Sequence, residues 1–208
     1  MQPTAGSSLR CVSRAAPLVV VCSLLAPPLA AQWSVGVEIG LQACAGAASD
    51  TSPSGNGNTV RPSQGTTYAL RVQHRSRAFG AGVGLLYSRT GAEATNEEST
   101  VELKDRMELF ELAPEFFVVV ARPAAGGAVL LHAGVVVDRW SLETVDRNRV
   151  AALAAVSLDW PMTDRLSGTF RAGLAVGPSV FEEEEVPNGF ERRTTWRRSI
   201  TAGMQVRL

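Results

Sequence analysis

The stretch Met107–Pro123, MELFELAPEFFVVVARP, decides the fold, because its residues alternate with the two-residue period of a β-strand. Phe110, Leu112, Pro114, Phe116, Val118 and Val120 share one face, while the other begins Leu109, Glu111, Ala113, Glu115. Acidic groups thus project opposite an aromatic and aliphatic band, in a segment longer than the roughly five or six residues usual for a strand. Such a strand suits a wall between hydrocarbon and a polar interior. Pro114 has no N–H to give a ladder, and a closed barrel has no edge to hide that loss, so a bulge near Ala113 and Pro114 is expected. With the bulge, Phe117 and Val119 meet lipid; without it, Phe116 and Val118 do.

Upstream, TTYALRVQHRS (66–76) sets Tyr68, Leu70 and Val72 against Arg71, Gln73 and Arg75. A short turn at Arg77 leads into FGAGVGLLYSR, where Phe79, Ala81, Val83, Leu85 and Tyr87 oppose Gly80, Gly82, Gly84 and Ser88. Glycines on the inner face of a narrow barrel leave room for long charged neighbours. Further back, QWSVGVEIGLQA (32–43) alternates Trp33, Val35, Val37, Ile39 and Leu41 with Ser34, Gly36, Glu38, Gly40 and Gln42. Downstream, the same period recurs in AVLLHAGVVVD, RVAALAAVSLDW, LSGTFRAGLAVGPSVF and TTWRRSITAGMQVRL. Eight strands result. The segments 44–65, 90–101, 139–148 and 182–193 read as loops, the first a long one rich in Ser, Gly, Thr, Asn and Pro.

Residues 1–31 read as an export signal: Arg10 and Arg14 form a basic start, an apolar run follows from Ala15, and Leu29-Ala30-Ala31 offers small residues for cleavage before Gln32. The apolar run is too short for a permanent helical span. A lipoprotein signal ending at Cys22 is disfavoured by Val21, where a small residue is required. The remaining 177 residues, 32–208, suit one eight-stranded barrel domain. The chain holds 20 basic and 20 acidic residues, and loss of Arg10 and Arg14 leaves 18 against 20, a balance that excludes a nucleic-acid-binding face. Cys11 and Cys22 leave with the signal, so Cys44 is unpaired and reads as a plain loop residue.

Long connections follow the odd strands and short ones the even strands, as in an outer-membrane barrel with periplasmic termini and turns. On that topology Tyr68, Tyr87, Phe181 and Trp196 form an outer aromatic girdle, and Trp33, Phe79, Trp160 and Phe170 a periplasmic one. Trp140 has the wrong parity for its girdle and either lines the interior or marks a bulge. A soluble lipocalin-like cup would alternate equally well, but the girdles, the loop asymmetry and the terminal strand favour the membrane. The fold class read here is all-β, an eight-stranded antiparallel up-and-down transmembrane barrel.

The export signal, eight amphipathic strands and the terminal Met204-Gln205-Val206-Arg207-Leu208 resemble the small bacterial outer-membrane β-barrel family, including its PorT-like and OmpA-transmembrane-like groups. Phe110-Glu111-Leu112-Ala113-Pro114 is similar to the aromatic-Leu-Glu-Ile-Pro-Leu-Leu pattern of PorT-like barrels, with Ala113 interposed before the proline and Phe116-Phe117 replacing the aliphatic pair. Leu208 stands where the family's assembly signal carries Phe. The resemblance implies residence in the bacterial outer membrane, contact with its lipid, insertion by the barrel-assembly machinery and, for some members, lipid A deacylation or acyl transfer.

The inward-facing polar set is Glu38, Arg71, Gln73, Glu111, Glu115, His132, Asp138, Asp159, Arg171, Arg197, Gln205 and Arg207. Its mixed signs predict a structural network that fills the lumen, centred on Glu38, Arg71, Glu111, Glu115, Asp159, Arg171, Arg197 and Arg207. A narrow porin-like passive channel is the first alternative. A lipid-modifying enzyme is the second, and it requires a base beside a serine or carboxylate on the outer wall. His74 falls near the periplasm and His132 in the lumen, so no catalytic residue is assigned. Glu182–Glu185 lack the Gly or Asn turns of a calcium loop and read as a solvated run balanced by Arg192, Arg193, Arg197 and Arg198. No metal or cofactor is expected. The expected role is that of a monomeric structural or surface-binding protein, with the outer loops, above all 45–65, as the surface for an extracellular ligand.

Overall fold

The computed structural model describes residues 32–50, 58–95, 100–123, 126–142, 145–186 and 188–208, with the side chains of residues 102–106 excepted. Residues 1–31, read above as an export signal, lie outside the described residues, as do 51–57 of the long outer segment. The strands are β1 (Gln32–Asp50), β2 (Thr59–Pro62), β3 (Gly65–Arg75), β4 (Phe79–Thr95), β5 (Thr100–Ala121), β6 (Ala128–Leu142), β7 (Val145–Pro161), β8 (Leu166–Gly177) and β9 (Phe190–Arg207). Eight of them form a closed antiparallel barrel in the order β1-β3-β4-β5-β6-β7-β8-β9, with β9 returning to β1, and β2 is a short addition paired to β1 and β4 at the outer end.

The apolar sides of the strands face outward. Val37, Ile39, Leu41, Leu85, Val135, Val156, Ile200 and Met204 are all exposed, an arrangement that only a lipid solvent makes favourable. Trp33, Phe79, Trp160 and Phe170 edge the band at the periplasmic end, and Tyr68, Tyr87, Phe110 and Trp196 edge it at the outer end. Phe181 does not belong to the outer girdle; it turns inward and packs on Ala47 and Ala48, because the chain after β8 folds over the mouth instead of continuing up the wall. Trp140 lies in the lumen, 1% exposed, with β6 and β7 in continuous register, so its parity reflects an interior position and no bulge.

The stretch quoted first is β5, and the bulge expected at Ala113 and Pro114 is absent. β5 and β4 stay in register from Met107 to Val118, and Phe116 is 60% exposed while Phe117 is 2% exposed. Against β6, pairing lapses at Ala113 and Pro114 and resumes in the same register at Glu115↔Gly134. The missing donor therefore costs the two pairings at Ala113 and Pro114 on the β6 side without shifting the strand. A register shift does occur lower down, between Val119 and Ala121, where β5 approaches its turn.

Three of the four expected loops are largely strand. β1 runs on to Asp50 through a bulge between Ala45 and Ala47, where Gly46 has φ +81° and a Cβ would stand 2.0 Å from the Thr194 carbonyl oxygen, so only glycine fits. β4 and β5 continue past Thr90 as a hairpin with a bulge between Thr90 and Ala92, and β6 and β7 extend to Leu142 and Val145. The β1 and β4 extensions, residues 44–50 and 90–95, are mostly small or polar on both sides above the lipid, where neither face meets hydrocarbon and the alternation that marks a strand fades. The fourth holds the 3-10 turn Glu183–Glu185, and strand resumes at Phe190.

The periplasmic turns are tight. Ser76 Oγ donates to the Phe79 carbonyl at 2.7 Å, the Gly126 amide to the Pro123 carbonyl at 3.0 Å, and the Leu166 amide to Thr163 Oγ at 3.0 Å.

Candidate functional site

The lumen gathers the buried charged groups of the described residues, and it is filled in layers. At the outer end Val180 and Phe181 close over the mouth, the latter against Ala47 and Ala48. Beneath them Cys44, Ala69, Leu86, Met107, Leu109 and Trp140 make an apolar plug. At this level β5 and β6 turn apolar residues inward and Glu108, Arg139 and Ser141 outward, the reverse of the pattern lower in the wall, so the sequence reading missed the plug.

Below the plug, Arg197 of β9 lies 2.5 Å from Glu111 and 2.7 Å from Asp138, with its guanidinium 5.9 Å from the centroid of the Trp140 ring. The next layer holds two arginines and two glutamates. Arg71 reaches Glu38 at 2.8 Å and Glu115 at 3.6 Å, Arg171 reaches Glu115 at 2.5 Å, and Thr201 donates to Glu38 at 2.6 Å. Gln73 adds a contact to Glu115 at 3.5 Å. Nearer the periplasm Asp159 accepts from Arg75 at 2.8 Å and from Thr169 at 3.1 Å. Phe117, Ala128 and Leu130 form a second, smaller apolar cluster at this end.

Each of these buried carboxylates thus has an arginine partner, and Glu38, Glu115 and Asp159 accept a further hydrogen bond from Thr201, Gln73 and Thr169, which low-dielectric surroundings favour. Of the charged residues singled out in the sequence, Glu38, Arg71, Glu115 and Arg171 converge in one cluster, and Arg197 joins Glu111 in another; Asp159 sits apart with Arg75, and Arg207 lies 3.5 Å from Ser167 Oγ. The sequence reading left Arg75, Thr169 and Thr201 out of the network. Arg75 shares the parity of Arg71 and Gln73, and that was the available signal.

His132 stands in the lumen between Ser157 and Glu115. Its Nε2 is 2.8 Å from Ser157 Oγ, and its Nδ1 is 3.1 Å from Arg171 and 3.4 Å from Glu115. The set has the order hydroxyl, imidazole, carboxylate that nucleophilic catalysis uses. Yet the void beside Ser157 holds only about 10 Å³, room for no more than a water, and Arg171 contends for the same carboxylate. His74 is remote from it and packs on Trp33, ring centroids 4.8 Å apart.

At the outer mouth the acidic run is clasped by arginines. Arg149 meets Glu182 at 2.5 Å, Arg147 pairs with Glu185, and Arg192 lies 3.5 Å from Glu182 and 3.7 Å from Glu183. The hydrogen bond from Arg149 holds the Glu182 carboxyl below its usual range, and that from Arg147 does the same for Glu185. Around the outer rim Arg89 pairs with Glu108 at 2.9 Å and Arg139 with Asp146 at 2.6 Å. The Arg89 hydrogen bond lowers the Glu108 pKa, and the Ser141 hydroxyl, then Arg139, lowers that of Asp146. At the periplasmic mouth an open cleft of about 250 Å³ is lined by Arg75, Arg77, Arg122 and Arg207.

A closed eight-stranded barrel with an outward apolar belt and a packed, ion-paired lumen defines an integral barrel of the outer-membrane type. Comparison with known proteins agrees at the level of fold. The outer membrane protein OprG of Pseudomonas aeruginosa superposes with a TM-score of 0.61 at 8% identity over 86% of this chain and 96% of its own. Neisserial surface protein A superposes with a TM-score of 0.51 at 12% identity over 84% of this chain and 96% of its own. No family model matches the sequence, and no curated protein matches it.

Proposed function

We propose that this protein resides in the bacterial outer membrane as a monomer and has a structural or surface-binding role, with no cofactor, no catalytic step and no flux through the lumen. The observation that carries the reading is the filled interior: the lumenal voids beside Ser157 and beside Glu111 hold only about 10 and 20 Å³. A hydrated ion or a lipid acyl chain needs more room than that, so the polar network serves to brace the wall.

The partners that follow are the surrounding lipid, the barrel-assembly machinery during insertion, and an extracellular ligand at the outer end, where β1, β4 and β5 rise past the lipid belt. The word surface in the name of Neisserial surface protein A is in keeping with this reading. Kinship with PorT-like or OmpA-like barrels rests on Phe110–Pro114 and on the terminal strand.

Planar-bilayer recording of the purified protein tests the proposal. The expected result is a flat baseline, and discrete, ohmic conductance steps from the unaltered chain would overturn the closed-lumen reading.

A further inference from the structure

The two mouths of the barrel treat their arginines differently. At the outer mouth Arg147, Arg149 and Arg192 are matched by Glu182, Glu183 and Glu185. Inside the lumen every arginine of the two main layers has a carboxylate. At the periplasmic mouth four arginines line one cleft and no carboxylate lines it, among the described residues. Only Arg75 is answered, by Asp159 from deeper in the lumen.

Arg77 projects from the β3–β4 turn and Arg122 from the end of β5, and both are exposed. Arg122 donates to the Arg77 carbonyl, which fixes its guanidinium at the turn, and Arg207 enters from β9 with the Ser167 hydroxyl as its side-chain partner among the described residues. Three guanidinium groups gathered in one cleft with no carboxylate side chain in its lining, among the described residues, raise the local potential and call for an anion. Guanidinium forks match tetrahedral oxyanions, and a doubly charged phosphate offers three acceptor oxygens that can be shared among several forks at once.

We propose that the periplasmic mouth is a phosphate-binding site formed by Arg77, Arg122 and Arg207. The cleft, at about 250 Å³, accepts a phosphate together with a small substituent such as glycerol. Trp33 forms its rim and is 53% exposed on the lipid side, so the cleft opens at the depth where phospholipid headgroups of the inner leaflet lie. The phosphate comes either from such a headgroup or from a soluble phosphate of the periplasm.

The test titrates the full barrel, in zwitterionic detergent, with inorganic phosphate and with glycerol phosphate by calorimetry. Saturable binding is expected, weakened at least tenfold in Arg77→Gln/Arg122→Gln and unchanged in Arg192→Gln/Arg193→Gln at the opposite mouth. Heat-dependent gel mobility confirms that each variant is folded. Repeating the titration in nanodiscs with and without phosphatidic acid separates the sources: suppression by the lipid assigns a headgroup, and no suppression assigns a soluble phosphate. Absence of saturable binding, binding retained in Arg77→Gln/Arg122→Gln, or equal loss in the outer-mouth variant overturns the proposal.

Discussion

The guanidinium of Arg171 on β8 lies 2.5 Å from the carboxylate of Glu115 on β5, although these strands are not neighbours in the sheet and share no ladder. The contact is a strut across the lumen. Glu115→Gln keeps the side-chain volume and removes the charge on which Arg171 and Arg71 both draw. Breaking a buried pair from one side costs about 3–5 kcal/mol. Urea unfolding of the barrel in lipid vesicles should therefore shift to markedly lower denaturant, and an unshifted midpoint would show that the strut contributes nothing.

The inner-face glycines of β4 separate two kinds of crowding. A Cβ on Gly84 would stand 2.6 Å from Arg71 Nη1, the far end of a long chain that can move aside. A Cβ on Gly80 would stand 2.3 Å from the Phe117 ring and 2.5 Å from the His74 carbonyl oxygen, neither of which yields so readily. Overpacking of the second kind costs about 1–3 kcal/mol. Gly80→Ala should lower the temperature of the gel-mobility transition clearly more than Gly84→Ala, and the reverse order would contradict the packing described.

Pro114 leaves its ladder bond to β6 unmade while pairing with β4 in full register. Pro114→Ala restores a donor in a strand already placed to use it, a change of about 0.5–1.5 kcal/mol for one hydrogen bond. The variant should unfold at higher urea than the parent. Destabilisation by Pro114→Ala would mean that the ring's packing outweighs the missing bond.

The outer clasp is sensitive to acid. The carboxyls of Glu182 and Glu185 are depressed below the ordinary value of 4.5 by Arg149 and Arg147. A depressed folded-state pKa means that docking of the segment is stabilised above the unfolded carboxylate value, and that this contribution disappears as pH falls through the lower, folded-state values. Amide exchange in residues 179–186, corrected for intrinsic rate, should stay slow at neutral pH and quicken only below pH 4.5. Quickening between pH 6 and 8 would assign the docking to other groups.

Much of the wall was legible in the sequence, because hydrocarbon outside and charge inside imposed a strict alternation on β1, β3, β4 and β5. Phe110, Leu112, Phe116 and Val118 announce lipid, and Glu111 and Glu115 announce the lumen. The alternation fails wherever both faces see similar surroundings. Above the membrane, residues 44–50 and 90–95 are small or polar on each side, and strands there read as loops. Within the lumen Leu109, Phe117, Trp140 and Val180 are apolar on an inner face that elsewhere is charged, so although Leu109 and Trp140 could be placed inside, their assembly into plugs was not legible. The pairing of particular arginines with particular acids depends on the stagger with which β9 closes on β1, and no local pattern encodes that stagger.

The struts from Arg171 and Arg197 to β5 act on the barrel as spokes act on a wheel: they keep its cross-section round and resist the flattening by which a thin-walled tube would transmit a push from one end to the other. The cell exterior and the periplasm thus face opposite ends of a stiff cylinder, and each end can evolve its own contacts without disturbing the other.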